Sequence, residues 1–140
     1  MPQIKRDKDG LILRAGTPTY SITSRKKKKI WKVSTLWKAS KNLPIARLKR
    51  SEFMKCLKQN VWFISGFEDD IPTVENVLKH MRRIERANTK YPILLTDGGC
   101  ICDGYHRLAK IVLKKRKWVR FRMFKEFPPP DRIEKVLKKK

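Results

Sequence analysis

Two Asp-Gly pairs constrain this chain more than any other feature: Asp97-Gly98 and Asp103-Gly104, within YPILLTDGGCICDGYHRLAK at 91–110. Asp-Gly marks a place where the backbone turns. Ahead of the first pair, YPILL (91–95) is a short apolar run that reads as a buried strand. Thr96-Asp97-Gly98-Gly99 predicts a hairpin with a two-residue loop, for which Asp-Gly supplies the positive φ angles. Residues 100–103 are then the returning strand, and 104–115 a helix that buries Leu108, Ile111 and Val112. An acid, a histidine and an arginine thus fall where a strand gives way to a helix.

That junction has a chemistry of its own. A helix start exposes unpaired N–H groups and a partial positive charge, which favour an anion. Gly104 has no Cβ, so an anion can approach the backbone closely. Arg107 can fork onto phosphate oxygens, and His106 can donate a hydrogen bond or move a proton. Asp103 can either cap the helix or help hold a Mg²⁺ that bridges phosphates. A cap needs no His and Arg beside it, whereas phosphate binding uses all three.

Elsewhere the periodicities predict a mixture of helices and short strands, an α+β domain with a compact mixed sheet and flanking helices. Ile30, Val33, Leu36 and Trp37 space as one helical face, stopped by Asn42 and Pro44. Residues 45–49 suit a short strand. Ser51 is placed to cap a helix with Phe53, Met54 and Leu57 inward, and Trp62 and Phe63 add aromatic bulk. Residues 73–88 predict the clearest helix, with Thr73 as N-cap. Its stripe of Val74, Val77, Leu78, Met81 and Ile84 should face the core. Lys79, His80, Arg82, Arg83 and Arg86 make the other face. In 118–124, Val119, Phe121 and Met123 alternate with Arg120 and Arg122.

Charge sorts the possible partners. The formal net charge is +23 over 140 residues. Residues 1–29, ending in RKKKK, hold nine Lys/Arg against two acids and read as a basic, largely flexible arm. Residues 128–140 hold five against two, a basic tail, which leaves +13 on the domain at 30–127. Such an excess suits a polyanionic partner, namely nucleic acid, a phosphorylated ligand or an anionic surface, with solvated lysines as the bland account. No window is long and apolar enough for a membrane span or a secretory signal, so no membrane partner is expected. Three cysteines without a paired framework suggest reduced thiols and a cytoplasmic location. The main acidic cluster, Glu68, Asp69 and Asp70, reads as a polar loop.

Residues 91–124 resemble the core of the superfamily that unites the ParB partition-protein N-terminal domain, sulfiredoxin and the ADP-dependent free-serine kinase. The likeness lies in a strand, an Asp-Gly turn, a second strand, a Gly-x-His-Arg helix start and a final strand. Upstream, LWKASKNLPIARLKRSEFM, VWF and the PT…H…RI…A…YPI segment look like a small stand-alone ParB-like family, so the likeness covers about 30–127. It implies that Gly104, His106 and Arg107 cradle nucleotide phosphates, and that Asp103 matches an active-site acid. Asp103 and His106 are the implied catalytic pair, with a nucleoside di- or triphosphate and Mg²⁺, held by Asp103, as cofactors. Thr73, His80 and Arg83 match the upstream segment and should pack near the same pocket, Thr73 and Arg83 as further phosphate contacts.

The departures narrow what the likeness implies. Sulfiredoxin needs a cysteine before the His-Arg pair, where this chain has Tyr105, so sulfinic acid reduction is not expected. The serine kinase needs a glutamate near its N-terminal motif, and Glu52 does not match well enough to be assigned. The helix-turn-helix and dimerisation regions of full-length ParB are absent from these 140 residues. The leading expectation is a nucleotide-binding ParB-like domain, with phosphotransferase or nucleotide hydrolase activity left open. The alternative is a nucleic-acid-binding module, for DNA or RNA and with or without nuclease activity, using Arg82, Arg86, Arg120 and Arg122. Oligomeric state is not legible.

Overall fold

A computed structural model of the chain describes residues 4–6, 12–15, 19–63 and 71–136. In chain order the strands and helices are β1 (Ile4–Arg6), β2 (Ile12–Ala15), β3 (Thr19–Ser24), β4 (Lys27–Lys32), α1 (Val33–Ser40) and β5 (Ala46–Lys49). A 3-10 segment (Arg50–Lys58) follows, then α2 (Val74–Arg86), β6 (Ile93–Leu95), β7 (Ile101–Asp103), α3 (Tyr105–Leu113), β8 (Trp118–Met123) and β9 (Arg132–Lys135). The fold is α+β. The acidic run Glu68, Asp69 and Asp70 lies outside the described residues.

A four-stranded mixed sheet in the order β5-β8-β6-β7 forms the centre. β6 pairs antiparallel with β7 and parallel with β8, so the β7–α3 connection carries the chain from β6 to its parallel neighbour. β6 is buried at all three positions because both sheet faces are covered. Ile93 and Leu95 enter one core with Phe53, Ile101, Leu108, Ile111 and Val119. Leu94 enters the other, with Trp31, Leu36, Cys102 and Phe124. Leu36, Ile93, Leu94, Leu108 and Val119 are fully buried, and each such side chain stabilises the fold by about 1.5–3 kcal/mol. The sheet therefore has α3 and the 3-10 segment on one face, and α1 with β4 on the other.

Four local expectations are corrected. Ile30 belongs to β4, not to a helix: β4 is zipped between β3 and β9, and α1 starts only at Val33. The lysine run at 25–29 accordingly forms the β3–β4 turn and the first half of β4, while 132–135 of the C-terminal tail make β9. The segment after β5 is 3-10 rather than α-helical, and no side chain caps it. Its three-residue repeat puts Phe53 and Cys56 together on the core and leaves Met54 and Leu57 exposed. The β6–β7 loop has three residues, not two. Thr96 N–H donates to Cys100 O (2.8 Å) and Gly99 N–H to Thr96 O (2.9 Å), with the positive φ on Gly99 (83°).

Candidate functional site

β7 ends on Asp103 and α3 begins at Tyr105, so the chain changes direction within Gly104. Its φ of 122° strains any L side chain, and a Cβ there would lie 3.0 Å from Ile93 Cγ1 and 3.1 Å from Arg107 Nη2. Glycine is thus demanded by both backbone and neighbours. Leu108 N–H donates to Gly104 O at 2.9 Å to start the helix. No side chain caps it, so Asp103 does not take the capping role allowed by the sequence.

Asp103 is held differently. Its Oδ2 accepts from Trp37 Nε1 at 2.7 Å and from Arg107 Nη2 at 2.8 Å. The arginine comes from one turn along α3, and the indole crosses from α1 on the other sheet face. The Arg107 guanidinium also lies 5.1 Å from the Trp37 ring centroid, and Trp37 meets Tyr91 edge-on at 6.1 Å. With Arg107 15% and Asp103 26% exposed, this ion pair is better sheltered than a surface one. Arg107 Nε is buried without a hydrogen-bond partner among the described residues. Among those residues no bond reaches Asp103 Oδ1 either.

His106 takes a second set of partners. Its Nε2 lies 2.9 Å from Nδ1 of His80, a hydrogen bond in which one ring supplies the proton and the other the lone pair. Trp62 lies flat over both rings, at 4.4 Å and 12° from His80 and 4.7 Å and 8° from His106. Phe63 closes edge-on against His80 at 5.4 Å. Two indoles, Trp37 and Trp62, therefore fix the two adjacent residues Arg107 and His106.

His80 reaches this position because α2 turns its polar side inward. Asn76 and His80 are its buried residues, whereas Val74 is 79% exposed and Val77, Leu78 and Met81 are exposed too. The expected orientation of the apolar stripe is overturned. What α2 covers is the polar start of α3, and a partner there must offer hydrogen bonds. Asn76 Nδ2 donates to Ile71 O at 2.8 Å, and Thr73 Oγ1 accepts from Asn76 N–H at 3.1 Å as the N-cap.

The remaining sequence candidates sit on α2, on β7 and β8 and in the 3-10 segment. Thr73 serves its helix, and Arg83 is half-buried in the last turn of α2. Arg82 pairs with Glu85 at 3.4 Å, and Arg86 is exposed at the end of the same helix. Arg120 donates to Lys90 O, and Arg122 has its Nε buried without a hydrogen-bond partner among the described residues. Cys102 is buried, donates to Leu94 O at 3.4 Å, and has its thiol pushed up to about 12 by burial and then by the Asp103 charge. Glu52 is exposed in the first turn of the 3-10 segment.

Among the described residues no three His, Cys, Asp or Glu side chains gather as a metal cluster. Asp103 Oδ1 is a single carboxylate oxygen, which suits Mg²⁺ when phosphates and water complete the shell. Sequence reasoning missed Trp37 and Trp62 at this site. The available signal was that a buried indole N–H needs an acceptor, but nothing local names Asp103 as that acceptor. No family model, no curated protein and no solved structure matches the chain.

Proposed function

We propose that the chain is a nucleotide-binding domain of the ParB/sulfiredoxin-like kind, with phosphates seated on residues 104–107. One observation carries the reading: α3 starts without a side-chain cap, on a glycine at φ 122°, with Arg107 and His106 already fixed on its first turn. Backbone N–H groups at such a start favour an anion, and Gly104 offers no Cβ to obstruct it. Arg107 supplies charge and His106 a hydrogen bond. Mg²⁺ would be held by Asp103 Oδ1 together with the phosphates, neutralising charge between them. Hydrolysis or phosphoryl transfer, if the domain performs either, turns on Asp103 and His106, the two proton-handling groups at the junction.

Calorimetric titration of ATP, ADP, CTP and GTP with Mg²⁺ tests this against His106→Ala/Arg107→Ala. Saturable binding by the wild type, lost in a variant that still unfolds cooperatively, is the expected result. No saturable binding of any of the four by the wild type refutes the reading. Release of inorganic phosphate in the same samples separates a binding domain from a hydrolase.

A further inference from the structure

The β3–β4 hairpin breaks two local rules of sheet design. Its two-residue turn is Arg25-Lys26, with φ of 48° and 64°. That geometry belongs to Asn-Gly, and a long side chain at positive φ is strained. Lys27 sits directly opposite Lys135 of β9, a like-charge cross-strand pair. Lys29, two residues along on the same face, sits between Ile22 and Ile133, both exposed. The one nearby acid on β9, Glu134, pairs with Arg132 at 3.0 Å and faces the other way, opposite Lys28. Among the described residues none of 25–29 makes an ion pair. The hairpin is nonetheless firmly held: β9 completes a third strand, and Val136 N–H donates to Lys26 O at 2.7 Å.

Strain and repulsion kept in a hairpin whose cations make no ion pair among the described residues point outward. We infer that residues 25–29, with Lys135, form a finger that contacts the phosphate backbone of duplex DNA. Arg25, Lys26, Lys27 and Lys29 are exposed together at this end of the sheet and meet a polyanion, and Ser24, opposite Lys27 on the same face, adds a hydroxyl donor of the kind that contacts phosphates. A membrane surface is disfavoured because the tip carries no Trp, Phe or Leu to enter the lipid boundary. Unpaired bases are disfavoured because the aromatic residues of this sheet, Tyr20 and Trp31, are turned onto Phe127. The site is separate from the α3 junction and does not depend on nucleotide binding there.

Fluorescence anisotropy of a labelled DNA duplex of arbitrary sequence, titrated between 50 and 200 mM salt, tests the finger. Arg25→Asn/Lys26→Gly removes two cations and installs the turn the geometry prefers. Its thermal midpoint should stay level or rise, while the slope of log K against log salt becomes shallower by about 1.8, or 0.9 per lost phosphate contact. Lys55→Gln/Lys125→Gln removes the same charge elsewhere on the surface and should leave the slope unchanged. Equal slopes for wild type and turn variant overturn the proposal. So does an equal loss in the control pair, or tighter binding to an RNA duplex, a polyglutamate peptide or anionic vesicles than to DNA.

Discussion

Three glycines near the junction differ in what an added methyl group would meet, and replacing each by alanine gives a graded test of the geometry. At Gly98 a Cβ would lie 3.8 Å from Thr96 Oγ1, an ordinary contact, and φ is not positive. Gly98→Ala should therefore be neutral, or stabilising by about 0.4–1 kcal/mol through the unfolded chain. Gly99 has φ 83° with nothing within 4 Å, so Gly99→Ala meets backbone strain alone, about 1–3 kcal/mol. Gly104 combines φ 122° with a Cβ position 3.0 Å from Ile93 Cγ1. Ile93 is fully buried and has nowhere to yield. Crowding of that kind adds about 1–3 kcal/mol, so Gly104→Ala should lose roughly 2–6 kcal/mol in all. Urea unfolding at constant m-value reads the three midpoints directly. A Gly104→Ala midpoint equal to or above that of Gly99→Ala would refute the close approach of Ile93 and Arg107 to this backbone.

Trp37→Phe keeps an aromatic ring beside Arg107 and deletes the donor to Asp103. Since Asp103 is one-quarter exposed, the loss should sit near the low end for a charged hydrogen bond, about 1.5 kcal/mol; an unchanged thermal midpoint would deny the bond. Asp131 braces the start of α1 from a distant part of the chain, accepting from Lys32 N–H at 2.7 Å and Thr35 Oγ1 at 3.0 Å. The Lys32 backbone bond leads in holding its carboxyl below the usual range. The stabilisation is then complete above the unfolded value, near pH 4, and disappears as pH falls through the lower folded value. Asp131→Ala should lower the midpoint at pH 7, with the gap closing below about pH 4. Cys100 is exposed while Cys102 is buried with its thiol near 12. At pH 8 iodoacetamide should label Cys100 first and Cys102 only on unfolding, as mass spectrometry will show.

What the sequence revealed was local. β6, β7 and α3 are legible because their apolar runs and turn residues lie within one stretch of chain, and Thr73 announces α2 by a bond to a residue three positions on. Orientation is a tertiary matter. The stripe Val74, Val77, Leu78 and Met81 identifies a helix, yet which side turns inward depends on the polar start of α3, far along the chain. β4 was hidden for a similar reason: a lysine-rich run has little strand preference, and its second partner, β9, lies roughly a hundred residues away. At the site, Asp103 and Arg107 are readable as neighbours one helical turn apart. The indoles that fix them are not, because Trp37 meets Asp103 only once α1 has been laid across the sheet.

The Asp103–Arg107 pair also sets a condition on the proposed nucleotide site. An anion arriving at α3 meets a guanidinium already shared with a carboxylate at 2.8 Å, so attraction and repulsion nearly offset one another. A divalent cation changes that balance. On Asp103 Oδ1 it would turn the carboxylate from a repulsive neighbour into a ligand of the ion that also binds phosphate. Nucleotide binding should therefore require Mg²⁺: EDTA should weaken it by at least tenfold in the wild type, equivalent to about 1.4 kcal/mol. Asp103→Asn removes the repulsion and the metal ligand together, so its weaker binding should no longer respond to EDTA. Equal EDTA sensitivity in wild type and Asp103→Asn would show that the metal acts on the nucleotide alone. The carboxylate would then be left as an anchor for Arg107 and Trp37.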